Sequence, residues 1–227
     1  PDPEAELRRT LRQPVDAPPL AKAASGCGKV VIVTDDITRM TPLRMIVPLI
    51  VEELNSAGIG DDRISILIGL GTHRPMTELE IESRFGKDIQ KRIAIFNHPW
   101  QDRARLADLG MTANGTPVSV ARKALEADFL LGVGSIVPHH IPGFSGGAKI
   151  IQPGITGAET TGATHLLSVR SSRTLLGVLK NPVREEMEKI AGQVGLSAIL
   201  NCVLNPDGNL VSAFYGDYRK AFRQGAA

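Results

Sequence analysis

The sequence predicts an α/β domain: a mainly parallel, Rossmann-like sheet flanked by helices, closing on a C-terminal antiparallel hairpin. Three observations carry this. Short β-branched runs, apolar on both faces, alternate with longer segments that bear helix start and stop signals. Several of these runs end in Asp, Gly or His, the residue types found where parallel strands meet a ligand. The last two runs are separated by the turn Asn205-Pro206-Asp207-Gly208, a hairpin connection.

Residues 1–28 read as a lead-in: a helix over Glu4–Arg12 closed by Pro14, then Pro18-Pro19 and small residues to Gly28. Residues 29–227 are expected to form the α/β domain. Lys29–Thr34 is too short for a helix and carries Val30, Val31, Ile32 and Val33, with Asp35 and Asp36 at its carboxyl end. Thr41 is expected as N-cap and Pro42 as first residue of a helix reaching Gly58. Ile64–Ile68 is the second strand, running into Gly69-Leu70-Gly71, and Thr77–Arg84 is a helix opened by a Thr77/Glu80 capping box. Ile93–Phe96 is the third strand, ending at His98. Phe129–Val133 is the fourth, ending at Gly134. A glycine-rich stretch, Pro142–Gly157, precedes a helix around Glu159–Leu167, and a further helix, Pro182–Val194, leads to the paired strands Ala198–Leu204 and Leu210–Phe214.

Composition narrows the function classes. The chain has 42% hydrophobic and 22% charged residues, so it can bury a core and is not a disordered segment. Its formal net charge is +2 with basic residues scattered, which argues against a nucleic-acid or polybasic membrane surface. No apolar run reaches the ~18 residues of a spanning helix. The two cysteines, Cys27 and Cys202, form no CxxC pair, so a reducing cytoplasm is expected rather than a disulfide framework. The chain opens without Met, and residues upstream of Pro1 are expected.

Nucleotide motifs fit only in part. Gly69-Leu-Gly71 and Gly132-Val-Gly134 each follow a strand, but Arg74 and Val137 stand where a dinucleotide fingerprint has its third glycine. Gly143-Phe-Ser-Gly-Gly-Ala-Lys149 has the length of a phosphate loop. Ala148 and Ile150 replace the glycine and the Ser/Thr that an ATP site needs. Its Ser145-Gly146-Gly147 backbone is expected either to converge N–H groups on an anion or to make a tight turn only.

Five histidines occur: His73, His98, His139, His140 and His165. Most flank strand ends or the glycine loop, and with Arg74 and Lys149 they mark one expected functional edge. None has HExxH or HxH spacing, so a protein-only zinc centre is not expected. Taken in order, Asp36-Ile-Thr-Arg39, Gly69-Leu-Gly-Thr-His-Arg-Pro-Met-Thr77, His98-Pro-Trp100, His139-His-Ile-Pro-Gly-Phe-Ser-Gly-Gly-Ala-Lys149 and His165 resemble the nickel-dependent lactate racemase family over nearly the whole chain.

That resemblance implies an amino-terminal, cofactor-binding domain whose partner domain lies beyond Ala227. It implies a racemase or epimerase of a small 2-hydroxy acid, acting by reversible hydride transfer to a nickel-pincer nucleotide (nickel pyridinium-3,5-bisthiocarboxylic acid mononucleotide). Side chains do not accept hydride, so such an acceptor is required. Lys149 matches the lysine joined to the cofactor by a thioamide, and His165 matches the nickel ligand. His98 and His139 match two general bases, one for each enantiomer, with an ordinary pKa of about 6.5 suited to taking and returning a proton. Arg74 matches the arginine that holds the substrate carboxylate in a bidentate fork.

Asp36, Thr38 and Arg39 are placed only by location, at a strand end where a phosphate or ribose is contacted. Several readings stay open beside these. Arg39 could pair with Asp35 or Asp36, Arg74 could make a structural salt bridge, and Lys149 could simply face solvent or a phosphate. His165 could pack on its helix face, His140 could orient its neighbour, His73 could orient its loop or touch cofactor, and Trp100 could wall the pocket or pack. The rival for the whole is a non-catalytic nucleotide- or anion-binding α/β domain, and the isolated chain, with half a cleft, is expected to be inactive.

Overall fold

The computed structural model describes residues 2–171 and 174–227; Pro1, the first residue of the expected lead-in, lies outside them. The chain runs α1 (Pro3–Arg12), α2 (Leu20–Ala23), β1 (Val30–Asp35), α3 (Leu43–Ser56), β2 (Ile64–Gly69), α4 (Glu78–Phe85), α5 (Lys87–Arg92) and β3 (Ala94–Asn97). It continues through β4 (Leu106–Met111), β5 (Pro117–Ala121), β6 (Phe129–Ser135), β7 (Pro138–His139), β8 (Gly143–Phe144), α6 (Ala158–Val169) and α7 (Pro182–Val194). It ends with β9 (Ala198–Leu204), β10 (Leu210–Gly216) and α8 (Lys220–Ala226).

Six strands make one sheet in the order β10-β9-β6-β1-β2-β3. All neighbours are parallel except β10, which pairs antiparallel with β9 as the hairpin turn required. β1 is central, with Val30 beside Ile64 on one side and Phe129 on the other. Its unbroken apolar run follows from burial on both faces. Val30 and Ile32 join a core with Ile46, Ile50 and Leu54 of α3, while Val31 and Val33 join a second core with Ile150, Ile190 and Ile199. Each such side chain contributes about 1.5–3 kcal/mol relative to exposure. Because β2 lies on one side of β1 and β6 on the other, the crevice at their carboxyl ends is the place where a ligand fits.

Local signals explain most boundaries. The Thr77/Glu80 capping box forms, with the Glu80 N–H donating to Thr77 Oγ1 at 3.3 Å and the Thr77 N–H donating to the Glu80 carboxylate at 2.8 Å. Asn181 caps α7, and Gly195, at φ 87°, ends it. One expectation changes. Thr41 does not cap α3: Pro42 is the N-cap residue, and the Thr41 hydroxyl donates instead to the Asp35 carboxylate, which competes for it from the end of β1. The segment 2–28 packs on the sheet domain: Leu7, Leu11, Leu20 and Ala24 are buried in the α3-side core and the Tyr215 N–H donates to Thr10 Oγ1 at 3.0 Å.

Candidate functional site

A cleft of about 230 Å³ opens at the carboxyl ends of β1, β2 and β6. It is lined by Asp35, Asp36, Thr38, Arg39, His73, His139, His140, Ser145, Gly146, Lys149, Thr161, His165 and Asn201, among others. Of the residues singled out in the sequence, Arg74, His98, Trp100 and Gly147 are not part of this wall.

The carboxylates of β1 are heavily partnered. Asp35 takes Arg84 at 2.8 Å on one oxygen and the Thr41 hydroxyl on the other, yet burial raises its carboxyl to about 6. Asp36 accepts the Thr38 hydroxyl at 2.5 Å and the Thr38 N–H at 3.0 Å, and lies 2.6 Å from His73 Nδ1. Burial works to raise Asp36, but the Thr38 hydroxyl, His73 and the Thr38 N–H outweigh it and hold the carboxyl below its usual range. Asp36 thus holds the His73 ring at Nδ1; when the ring is neutral, Nδ1 carries the hydrogen and Nε2 the lone pair. The loop that presents His73 is pinned from β3: the Trp100 indole N–H donates to the His73 carbonyl at 2.9 Å, and the Asn97 amide bonds both N–H and carbonyl of Met76. Trp100 thus holds the loop rather than lining the cleft.

The opposite wall is basic and sparsely partnered. Lys149 projects from the 3₁₀ turn Gly147–Ile150, and among the described residues its Nζ has no hydrogen-bond or ion-pair partner. Burial, then the charges of Arg39 and Arg184, push its amine down to about 8. Arg39 donates only to the carbonyl and hydroxyl of Thr38, at 3.3 and 3.2 Å, and has no carboxylate partner among the described residues. The pairing with Asp35 or Asp36 that its sequence position allowed does not form, since Arg84 occupies Asp35 and His73 occupies Asp36.

His165, on α6, places Nδ1 2.6 Å from the Thr161 carbonyl one turn back. Nδ1–H donates there, and when the ring is neutral Nε2 carries the lone pair. His139 sits on the β7–β8 hairpin, stacks on His140 at 4.7 Å with a 10° interplanar angle, and accepts the Ile141 N–H at Nδ1. Burial, with the nearby charges of Lys149, His140, Arg39 and His165, drives its pKa down to about 3.

Three expected placements differ from the sequence reading. His98 is 1% exposed and faces inward: its Nε2 lies 3.0 Å from the Thr156 carbonyl, its Nδ1 has no partner, and burial pushes it down to about 4. Its main-chain N–H donates to the Ile68 carbonyl, which draws the residue under the sheet edge and away from the cleft. Arg74, its side chain 65% exposed, turns outward into a two-pronged ion pair with Glu80 and holds that carboxyl at about 2. The Ser145-Gly146-Gly147 backbone does not converge on the cleft as an anion nest. Ser145 N–H donates to the Val137 carbonyl and Gly147 N–H to Asn201 Oδ1, so two of the three N–H groups are spent within the fold.

Sequence reasoning missed Arg84, Asn97, Asn201 and Arg184, buried or half-buried polar residues whose partners are distant in the chain. For the Asp36–His73 pair a signal existed: both follow adjacent parallel strands, and Asp35 lies beside Gly69 in the register. Among the described residues, no group of three or more His, Cys, Asp or Glu is placed to hold a metal. None of the helices described is long and apolar enough to cross a membrane.

Comparison with known proteins adds an independent line. Residues 1–177 match the family model for the lactate racemase N-terminal domain. Lactate racemases of Thermoanaerobacterium thermosaccharolyticum and Lactiplantibacillus plantarum are each 32% identical over 221 residues, covering 96% of this chain and 52% of theirs. The chain therefore spans about half the length of these relatives. Among solved structures, the lactate racemase apoprotein of T. thermosaccharolyticum superposes with a TM-score of 0.93 at 32% identity, covering 98% of this chain and 54% of that one. A Thermotoga maritima protein shares the fold at 23% identity with a TM-score of 0.81, covering 100% of this chain and 59% of its own.

Proposed function

Because the chain belongs to the lactate racemase N-terminal domain family, we propose that it is the cofactor-holding part of a cytoplasmic racemase or epimerase that inverts a small 2-hydroxy acid by reversible hydride transfer. The remaining half of the active cleft then comes from a second domain beyond Ala227, so the isolated chain is inactive. The observation that carries the reading is the pairing of an unpartnered, depressed lysine with a histidine whose Nε2 is left free, Lys149 and His165, on one cleft wall.

These residues fit a nickel-pincer nucleotide. Lys149 supplies an amine, neutral in appreciable fraction near pH 8, for covalent attachment, and His165 supplies one imidazole nitrogen. A single protein ligand suffices when the organic group brings the other donors. Arg39, with its fork free of carboxylates, suits a phosphate or a substrate carboxylate. When bound, the group supplies the hydride acceptor that side chains lack.

The chain's own residues carry the proton. Geometry favours His73 over His98 as partner to His139, and Arg39 over Arg74 as the carboxylate fork. His73, held at Nδ1 by Asp36, presents Nε2 to take the hydroxyl proton of one enantiomer. His139 serves the other. Anions entering the cleft offset the positive charges of Lys149 and Arg39 and raise His139 towards a range where it can carry a proton.

The test uses full-length protein coexpressed with the cofactor-making enzymes and a panel of single-enantiomer 2-hydroxy acids followed by chiral chromatography. We expect at least one acid to become an equal mixture of enantiomers. Nickel-bearing, adduct-bearing protein that converts none of them contradicts the reaction. Absence of both nickel and adduct favours the non-catalytic binding domain.

A further inference from the structure

Arg184 is the least expected charge in the molecule. It is 2% exposed on the first turn of α7, makes no ion pair among those of the described residues, and leaves its Nε buried without a partner. Glu188, one turn along, is held by Arg219 and Arg223 instead. A buried guanidinium without a counterion is costly, and side chains of this kind are retained where the charge or its fork has a use.

The fork points at the Lys149 turn. Arg184 Nη1 donates to the Gly146 carbonyl at 2.8 Å and Nη2 donates to the Phe144 carbonyl, while the guanidinium lies 4.2 Å over the Phe222 ring. The turn it grips has no slack. Gly146 and Gly147 hold φ of 77° and 57°, and a Cβ at either would lie 2.8 Å from Asn201 Oδ1 or the Phe222 ring. Asn181, the α7 N-cap, takes the Arg184 N–H at 2.9 Å and so sets where the arginine starts.

We propose that Arg184 is a positioning residue for Lys149: its fork fixes the turn from which the lysine projects, and its charge stands permanently behind the amine. The inference gives a reason for the lysine's state that the attachment reading alone lacks. Groups facing Lys149 come from every side of the cleft: Arg39 from the loop after β1, Arg184 from α7, the opposing Asp35 and Asp36 from β1, and His139 and His165 on the same lining. Among the cations, Arg184 alone is both buried and bonded to the turn itself. Arg39, at the cleft wall, will be neutralised by any bound phosphate or carboxylate, whereas Arg184 sits beneath the turn and will not.

This rests on Lys149 being the attachment point only for its biological meaning; the coupling can be measured without cofactor. Full-length apoprotein is labelled with trace acetic anhydride across pH 6 to 10, and Lys149 acetylation is quantified by peptide mass. In that reaction the neutral amine forms an amide with one acetyl group and releases acetate and a proton. We expect the wild-type half-point near 8. Arg184→Met should move it up by about half a unit, roughly a threefold loss of labelling at pH 7, and Arg184→Lys, which restores the charge, should bring it most of the way back. Should the Met variant fail to fold, Arg184→Gln, whose amide can still donate to one carbonyl, gives the same reading. A folded neutral variant with the wild-type half-point overturns the proposal. Retention of the cofactor adduct on a Lys149→Ala protein would overturn the attachment reading instead, leaving the labelling result untouched.

Discussion

Across one cleft, the carboxylates of β1 and the cations facing them are treated differently. Asp35 and Asp36 each meet at least two donors, and the histidine beside them, His73, is held from both its ring and its carbonyl. Among the described residues Lys149 has no hydrogen-bond or ion-pair partner, Arg39 donates only to its neighbour Thr38, and His165 engages one ring nitrogen. Satisfied groups cannot bind much that is new, but they can hold a base in one orientation. Unsatisfied cations and a free imidazole nitrogen are suited to receive an anionic, metal-bearing group. On the proposed reading the contrast divides the labour: the β1 wall orients, and the Lys149 wall binds.

The largest effect that could break this division concerns the bases. His73→Ala and His139→Ala should each lower the rate of racemisation by about 10²- to 10⁴-fold in loaded full-length enzyme. In a single turnover the two variants should prefer opposite enantiomers. Asp36→Asn should follow His73→Ala in direction, because it removes the charge that fixes the tautomer. If His98→Ala shows the enantiomer preference and His73→Ala does not, the assignment drawn from the cleft geometry fails.

His98→Ala should instead be a stability variant. It leaves a small cavity and an unpaired Thr156 carbonyl, costing about 2–4 kcal/mol, which corresponds to a Tm lower by roughly 5–15 °C. The surviving folded protein should keep most of its activity at low temperature. Differential scanning calorimetry alongside a racemisation assay separates the two roles.

How much of this was legible in sequence depended on where the partners lay. Strand and helix positions were readable because β-branched runs, the Thr77/Glu80 box and the Asn205–Gly208 turn are local signals. The β4–β5 hairpin was not: its first strand is mostly exposed after Ala107 and lacks an alternating apolar face. β7 and β8, two residues each, owe their pairing to neighbours rather than propensity. Lys149 and His165 were found through the family pattern and do share the cleft. His73 and His98 look alike in sequence, each just past a strand. A carboxylate 37 positions away holds one at the cleft and a carbonyl 58 positions away draws the other inward, and no local pattern encodes either choice.

A smaller effect lies in acid stability. His98 is pushed down to about 4, so its contribution is fully present above the ordinary histidine pKa of about 6.5 and is lost as pH falls through the window below it. Asp35, raised to about 6, acts in the opposite sense: its stabilisation is present below the ordinary aspartate range and is lost as pH rises towards 6. Urea midpoints between pH 4 and 6 should therefore show partial cancellation in the wild type, and His98→Ala should lower the slope of stability against pH by up to about one proton. An unchanged slope would mean that His98 titrates normally. Smallest of all, Arg74→Ala should change racemisation less than twofold, since an outward ion pair with Glu80 contributes little; a loss of substrate affinity tenfold or greater would return the carboxylate role to Arg74.

The central claim is that the unpartnered wall holds the cofactor, and it is tested most directly by intact mass and nickel content measured together. Full-length wild type, Lys149→Ala and His165→Ala are each coexpressed with the cofactor-making enzymes and purified. The account predicts an organic adduct and about one nickel on the wild type, no adduct on Lys149→Ala, and an adduct with little nickel on His165→Ala, since the two links use different atoms. An undiminished adduct on Lys149→Ala, or undiminished nickel on His165→Ala, would contradict it.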